Sequence, residues 1–485
     1  MMVFLKELEV EYFKCFSERQ TVEFAIPNSK DNGSGLTIVV GPNNTGKTSL
    51  FEALLLCNTN LGNKRITEGE RHLGHSTKIA VTNSDGEKQT VQNKDNGSFV
   101  EKIEEFKHNG LAFKIVPFER NWVDSYGSID KRLGNYTEPS SPAGAITIED
   151  IHLTFFRRLR EILRDNTTKE KFDTLIKKII PDFIDWTIDT NSGGDYIKYK
   201  TVQAWHRANL LGTGIISLFR ICADLIDGDH ILMIDEPEAS LHPAAQKELY
   251  RILCEKSKDR QIILATHSPY MVSWIDVDNG VKVIRLNKGE NGACRVFGFN
   301  KGQKYYRLFS QEVSRWNRPH LLDIASKEIL FSDKVLFVEG QEDVGLIKRW
   351  MIKENRKLSF DIFGYGVDGS GNMDAYLEMA KDLGLRRVAA LYDDGRDTRE
   401  AYDRNLKNQE YAEFCFEILP TGDIRDKEYN IKCEKCEKAC EKCNSDVRIE
   451  GCFKRSTDGK DMMLNSSHEG AFSKIMDRFQ TFFET

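Results

Sequence analysis

The chain has 485 residues, enough for two or three domains of ordinary size. Lys and Arg total 69 against 75 Asp and Glu, a formal net charge of −6, so bulk charge announces no polyanion and a nucleic-acid partner needs a local basic face. No run of 18 apolar residues occurs and MMVFLKELEVEYFKCF lacks a basic segment followed by a long apolar block, so a cytoplasmic α/β protein without membrane contact is expected, its 11 cysteines reduced or metal-bound.

Residues 36–40, LTIVV, predict a buried strand, and GPNNTGKTSL follows at once. This is G-x-x-x-x-G-K-T, with Gly41, Gly46, Lys47 and Thr48 at its fixed positions. The glycines let backbone N–H groups of the loop through Asn43, Asn44 and Thr45 converge on phosphate oxygens. The helix predicted by SLFEALLLC, with Ser49 in its first turn, adds its positive end. Lys47 then reaches the terminal phosphates and Thr48 holds Mg²⁺.

Residues 58–150 are polar and turn-rich, with strands expected near 79–82, 89–92 and 111–117 and an exposed loop at 137–145. Apolar residues at 155, 156, 159, 162 and 163 predict a helical stretch over 148–180. Its 151–180 portion carries eight basic and four acidic residues, read as a solvated helix face. Residues 148–190 are candidate dimerisation helices.

HILMIDEPEASLHP (230–243) is an apolar strand ending in Asp235-Glu236. An aspartate there holds Mg²⁺ through water and the neighbouring glutamate polarises an attacking water. QIILATHSP (261–269) is another such strand, ending at His267, placed to sense a γ-phosphate. Nearly 300 residues after the glycine loop, KVLFVEGQED (334–343) runs from an apolar strand straight into Glu339. RRVAALYDDGRD (386–397) repeats that pattern with Asp393, Asp394 and Asp397. Carboxylates gathered at one end of adjacent parallel strands repel one another and persist where a divalent cation neutralises them.

IKCEKCEKACEKCNS sets Cys433, Cys436, Cys440 and Cys443 in a C-x₂-C-x₃-C-x₂-C pattern. Four thiolates at that density fit a tetrahedral Zn²⁺, and an Fe–S cluster is the alternative, with Cys452 as a replacement ligand. The flanking lysines and glutamates offer almost no apolar surface, so a metal would fold this insertion of about 430–452.

The first group of segments resembles the Walker A, signature, Walker B and switch-histidine motifs of ABC-type ATPases, in their SMC-like branch. Gly212-Thr213-Gly214 stands at the signature position, although no Ser-Gly-Gly-Gln is present, and EASLHP resembles the D-loop. The resemblance implies ATP as ligand and a head-to-tail homodimer or higher oligomer through the ATPase domain. The whole order resembles the OLD (overcoming lysogenization defect) family, in which such an ATPase precedes a Toprim domain. It implies an α/β architecture with an ATPase domain at 1–300, a connector at 301–329 and a C-terminal Toprim domain at 330–485 carrying the small Cys₄ insertion.

On that resemblance Glu339 is the Toprim glutamate and Asp393 opens the Asp-x-Asp, together holding Mg²⁺ (or Mn²⁺), with two metals about 4 Å apart cleaving a phosphodiester. The second acid's position is Gly395, so Asp394 or Asp397 substitutes or the site binds fewer metals. Glu450 and Lys460 stand where the family has a later acid and lysine. The implied function is an ATP-regulated, metal-dependent DNA endonuclease of antiphage defence, with ATP activating or restraining cleavage, acting alone, with a helicase as in Gabija systems, or as a retron effector beside a reverse transcriptase and its RNA–DNA product. Gly395 keeps a second reading open, an SMC-like DNA-binding ATPase whose Toprim fold grips without cutting. A Toprim repair enzyme acting on RNA or nucleotides is the third.

Overall fold

LKELEVE buries Leu5, Leu8 and Val10 and turns the charged residues outward, an alternation interrupted by a register shift between Leu5 and Glu7, in the half-buried antiparallel strand β1 (Leu5–Glu11). In the computed structural model the described residues run from Val3 to Glu484. They omit 58–65, 67, 71, 73, 94–99, 109, 117–147, 192–193, 209–212, 227–229, 290, 307, 310–323, 432–444 and 456–461. The chain divides into two units, Met1–Gly298 and Phe299–Thr485.

In the first unit β1 lies in an antiparallel sheet between β2 (Gln20–Glu23) and β4 (Lys78–Asn83), followed by β5 (Lys88–Asn93) and β6 (Val100–Glu104). A second sheet surrounds β3 (Leu36–Val40), whose five residues are all buried. Its order is β14 (Cys294–Gly298), β13 (Lys282–Lys288), β3, β12 (Ile262–Ala265), β11 (Ile231–Asp235), β7 (Phe113–Val116). All are parallel except β14. Continuous apolar runs suit strands covered on both faces, and β3, β11 and β12 are such runs. The three sit side by side, so the segments that follow β3, β11 and β12 emerge along one edge.

The helices α1 (Lys47–Leu56), α2 (Ile148–Arg164), α3 (Asn166–Ile179), α4 (Thr213–Ile226) and α5 (Pro243–Lys256) complete this unit's longer elements. Helix does not continue to 190. Pro181 follows α3, and FIDWTIDTN alternates β-branched and aromatic residues, forming β8 (Phe183–Asn191) against β9 (Gly194–Thr201) and β10 (Trp205–Arg207). The basic run is used inside the unit. Lys169 pairs with Asp173 at 2.7 Å and Asp185 at 2.9 Å, Arg158 with Glu161 at 3.1 Å, and Arg160 with Asp195.

The second unit holds a wholly parallel sheet ordered β16 (Asp361–Ile362), β15 (Lys334–Phe337), β17 (Arg387–Tyr392), β18 (Cys415–Ile418). Its main helices are α6 (Gln341–Lys353), α7 (Ser370–Asp382), α8 (Arg396–Leu406) and α9 (Glu469–Glu484). The last buries Phe472, Ile475, Met476, Phe479 and Phe483, a single apolar stripe at helical spacing. Phe472 meets Trp350 of α6 edge-on at 5.2 Å between ring centres.

Phe219 of α4 is fully buried and packs on Phe172, Trp186 and Phe183 at centroid separations of 5.2, 5.4 and 6.3 Å. It joins α3, α4 and β8 into one body. Phe219→Ala is expected to cost about 3–5 kcal/mol, measured as a lower urea midpoint with unchanged denaturant sensitivity.

Candidate functional site

Where β3 ends, the backbone must turn within a space that admits no side chain. Gly41 has φ 140°, and a Cβ there would run into the Leu286 carbonyl of β13. Gly46 has φ 97° and opens α1, with Asn44 also left-handed at φ 61°. The loop Gly41–Thr48 is therefore a glycine-hinged turn feeding a helix, the form that aims amides at an anion. Lys47 is buried, its ammonium donating to the carbonyls of Gly41 and Pro42 at 3.0 Å each. Burial pulls it down to about 8, against the raising effect of Glu236, Asp235 and Glu238.

Thr48, at the start of α1, donates its hydroxyl to Asp235 Oδ2 at 3.3 Å, closing a separation of 187 residues in sequence. Asp235 ends β11 and is 8 % exposed. Desolvation, then the neighbouring charge of Glu236, pushes its carboxyl up to about 7. A buried hydroxyl–carboxylate pair with a raised carboxyl is a donor set that fits a hard divalent cation, which would restore the charge that burial opposes.

Glu236 is held at φ 47°, a left-handed conformation costing a residue with a side chain on the order of 1–3 kcal/mol. Its N–H donates to Ala265 of β12 at 2.8 Å, so the strained turn is pinned to the adjacent strand. His267 follows that strand, and its Nε2 lies 3.5 Å from Glu236 Oε1. Glu238, not singled out from the sequence, accepts from the His267 N–H at 2.6 Å. Its own carboxyl is raised, by desolvation first. The EPE run carries two acids in alternation, and that spacing was the available signal. Gly214, in α4, lies against the turn after Glu238: a Cβ would sit 2.7 Å from the Ser240 carbonyl oxygen. Gly212 lies outside the described residues.

The second edge belongs to the other unit. β15 and β17 are parallel neighbours with Phe337 opposite Ala390, so the residues after each strand meet. Glu339 Oε1 accepts from the Asp393 N–H at 3.0 Å. Asp343, also missed in the sequence, lies in the first turn of α6, 7 % exposed, with Oδ2 accepting from the Gly340 N–H at 2.6 Å. Its position four residues after Glu339, one helical turn, was legible. Asp423 is buried too. The fully buried thiol of Cys452 is pushed up to about 12, by burial first and then by Asp393, Asp423 and Asp343, which places these acids around it.

The two acids offered in place of Gly395 part ways. Asp394 is held by both arms of Arg399 at 2.7 and 2.8 Å, and Asp397 is exposed in the first turn of α8. Gly395 itself caps α8, its N–H donating to Thr398 Oγ1 at 2.9 Å, and a Cβ there would lie 2.9 Å from that oxygen. The position serves the helix start. Glu450 is exposed and accepts from Asn465 at 2.7 Å and Ser467 at 3.0 Å, contacts that lower its carboxyl. Its carbonyl takes the Thr421 hydroxyl at 2.6 Å, and the Thr421 carbonyl takes the Asp394 N–H at 3.0 Å. Among the described residues no three His, Cys, Asp or Glu side chains enclose a metal position, and the carboxylates of Glu339, Asp393 and Asp343 match hard cations in chemistry alone. Cys433, Cys436, Cys440, Cys443 and Lys460 lie outside the described residues.

Residues 36–273 match the family described as AAA domain, putative AbiEii toxin, Type IV TA system, and residues 330–394 match the TOPRIM domain of overcoming lysogenization defect protein-like proteins. The chain thus carries an AAA-type ATPase domain followed by an OLD-like Toprim domain, on a mixed α/β architecture. It is 35 % identical over 132 residues to an OLD nuclease of Thermus scotoductus, a match covering 27 % of this chain and 24 % of that protein. Two Bacillus cereus proteins named Endonuclease GajA match at 25 % over 320 residues and 29 % over 190, covering 56 % and 39 % of this chain and 45 % and 28 % of theirs. The chain therefore spans less than half the length of these curated relatives. An Smc head domain from Pyrococcus furiosus overlaps with a TM-score of 0.41 at 13 % identity, covering 65 % of this chain and all of that one. Among the described residues no helix is long and apolar enough to cross a membrane.

Asp235 yields a prediction on the metal- and nucleotide-free protein. Its carboxyl titrates near 7 folded against 3.8 unfolded, so the folded chain holds the proton longer. Between those values stability falls as pH rises. Asp235→Asn is expected to melt higher than wild type at pH 8 and alike at pH 4, in thermal scans with EDTA present.

Proposed function

We propose that the chain is an ATP-binding and ATP-hydrolysing, divalent-metal-dependent DNA endonuclease of the OLD type. The observation that carries this reading is the Glu339–Asp393 contact at the end of a second parallel sheet, in the stretch matching a Toprim domain. The names of the relatives agree with it. In the ATPase unit the loop amides and Lys47 would bind and orient the phosphates, Thr48 and Asp235 would hold Mg²⁺, Glu236 would direct the attacking water and His267 would report the terminal phosphate to it. In the Toprim unit Glu339, Asp393 and Asp343 are the carboxylates that would hold Mg²⁺ or Mn²⁺. The metal supplies Lewis-acid charge and a more acidic water. The reading extends to a homodimer or higher oligomer through the ATPase unit, a cytoplasmic role in antiphage defence beside a helicase or a reverse transcriptase with its RNA–DNA product, and Zn²⁺ on Cys433, Cys436, Cys440 and Cys443.

Gly395, which fills the place of an acid with a helix cap, favours a second reading in which the Toprim unit grips DNA without cutting. Plasmid cleavage at fixed Mg²⁺ separates the two. Glu339→Ala and Asp393→Ala are expected to lose about 10²–10³ in rate while keeping ATP turnover, whereas Lys47→Ala loses nucleotide binding and Glu236→Gln binds ATP but hydrolyses it slowly. A wild type that binds DNA and never cuts it under any nucleotide or metal condition establishes the gripping ATPase instead, and full cleavage by Glu339→Ala removes the site.

The cysteine cluster is tested by metal analysis of the purified chain. About one zinc per chain is expected, lost in Cys436→Ser with ATP binding intact. A brown protein with visible absorption replaces zinc with an Fe–S cluster.

A further inference from the structure

The described cysteines are all free thiols, and two of them meet beneath the nucleotide loop. Cys15 lies in a tight turn after β1, where Tyr12 and Lys14 are left-handed at φ 53° and 51° and Phe13 and Phe16 exchange backbone hydrogen bonds of 3.1 and 2.9 Å. Cys294 opens β14, and its N–H donates to the Cys15 carbonyl at 2.7 Å. That contact fixes the two backbones side by side, and the Cys294 thiol hydrogen-bonds to the Cys15 sulfur. Both sulfurs press on the Cα of Gly46. A Cβ added there would fall 3.0 Å from Cys294 Sγ and closer still to Cys15 Sγ.

Cys15 differs from the buried thiols of the unit, while Cys294 is pushed up, by its contact with Cys15 first and then by burial. Cys222 and Cys254 are driven up by desolvation, Cys254 to about 12, and behave as apolar core. Cys15 is half-buried and moves the other way, below an ordinary thiol, through the hydrogen bond from Cys294, one from Ser49 and the nearby Lys288 charge. The turn is also tied to the helix that carries Lys47 and Thr48: Lys14 pairs with Glu52 of α1 and, at 3.0 Å, with Glu70.

We propose that Cys15 and Cys294 form a reversible oxidation site whose disulfide weakens nucleotide binding at the glycine loop. The oxidant is a small-molecule disulfide of the glutathione class. The Cys15 thiolate attacks one of its sulfurs and expels the other as a thiolate, leaving a mixed disulfide on Cys15. Cys294 then gives up its proton to the departing thiolate and attacks the Cys15 sulfur, expelling the second thiol. Two protein thiols are oxidised and one external disulfide is reduced to two thiols. Drawing the sulfurs from hydrogen-bond contact to bonding distance moves the turn and β14 on either side of Gly46. It also shifts Gly46, which lies against both sulfurs and opens α1, so the amides and Lys47 leave their positions around the phosphates.

The effect on binding rests on the ATP reading above, and the test keeps the two apart. The full chain, reduced and then treated with glutathione disulfide, is mapped by non-reducing peptide mass spectrometry and titrated with a fluorescent ATP analogue. Expected are a linked Cys15–Cys294 peptide, about tenfold weaker binding, and recovery with dithiothreitol. Cys15→Ser and, independently, Cys294→Ala are expected to keep full affinity after the same treatment, which also separates this pair from oxidation of Cys433–Cys443. Absence of the linked peptide overturns the oxidation site, and a linked peptide with unchanged affinity overturns its effect on the loop. A reduced wild type that binds no nucleotide refutes the ATP reading instead, while the mapping still decides the pair.

Discussion

A carboxylate buried at the end of a parallel strand has lost most of its hydration, and the first unit of this chain places such a group, Asp235, at one edge of its sheet. In the first unit the cost is visible as opposite displacements of two neighbours. Asp235 is driven up to about 7 and Lys47 down to about 8, so both ordinary charges are opposed by the site that contains them. A ligand bringing both signs, negative charge to the ammonium and positive charge to the carboxylate, would relieve both displacements. The close packing of β3, β11 and β12 is what enforces the encounter. Every residue of these three strands is buried, which leaves their ends as the place where polar chemistry can begin.

The edge is also mechanically coupled. Glu236 is strained, its N–H bonded to β12, its carboxylate 3.5 Å from His267, and the His267 backbone is held in turn by Glu238. A change at any one of these groups is felt by the others through short contacts rather than through a distant relay. In the second unit the analogous element is the bond from the Asp393 N–H to Glu339, which makes two strand ends depend on one carboxylate orientation.

The most legible parts were those written as contiguous residues. The glycine loop could be read because its backbone requirements fall on consecutive positions, and β3, β11, β12, β15 and β17 because fully covered strands are unbroken apolar runs. Glu238 and Asp343 stood close enough to Glu236 and Glu339 to be read and were passed over, whereas Asp423 becomes a neighbour of this edge only through the fold, information that no local pattern holds. The helical reading failed beyond Pro181 because an alternating aromatic segment followed closely on an amphipathic one. Gly395 looked like a missing acid, and the structure puts it at the start of α8, where its N–H donates to Thr398 Oγ1 and an added Cβ would meet that one oxygen.

Gly214 carries a consequence beyond its own helix. Its Cα faces the carbonyls of Ala239 and Ser240 with no room for even a methyl group, so α4 and the turn after Glu236 share a surface without slack. In a lineage of such chains these two stretches are not free to drift separately. A bulkier residue on α4 persists only where the turn has already been re-routed, and a re-routed turn changes the backbone that holds Glu236 in its left-handed state. The glycine thus ties the choice of residue on a helix to the conformation of the acid at the end of β11.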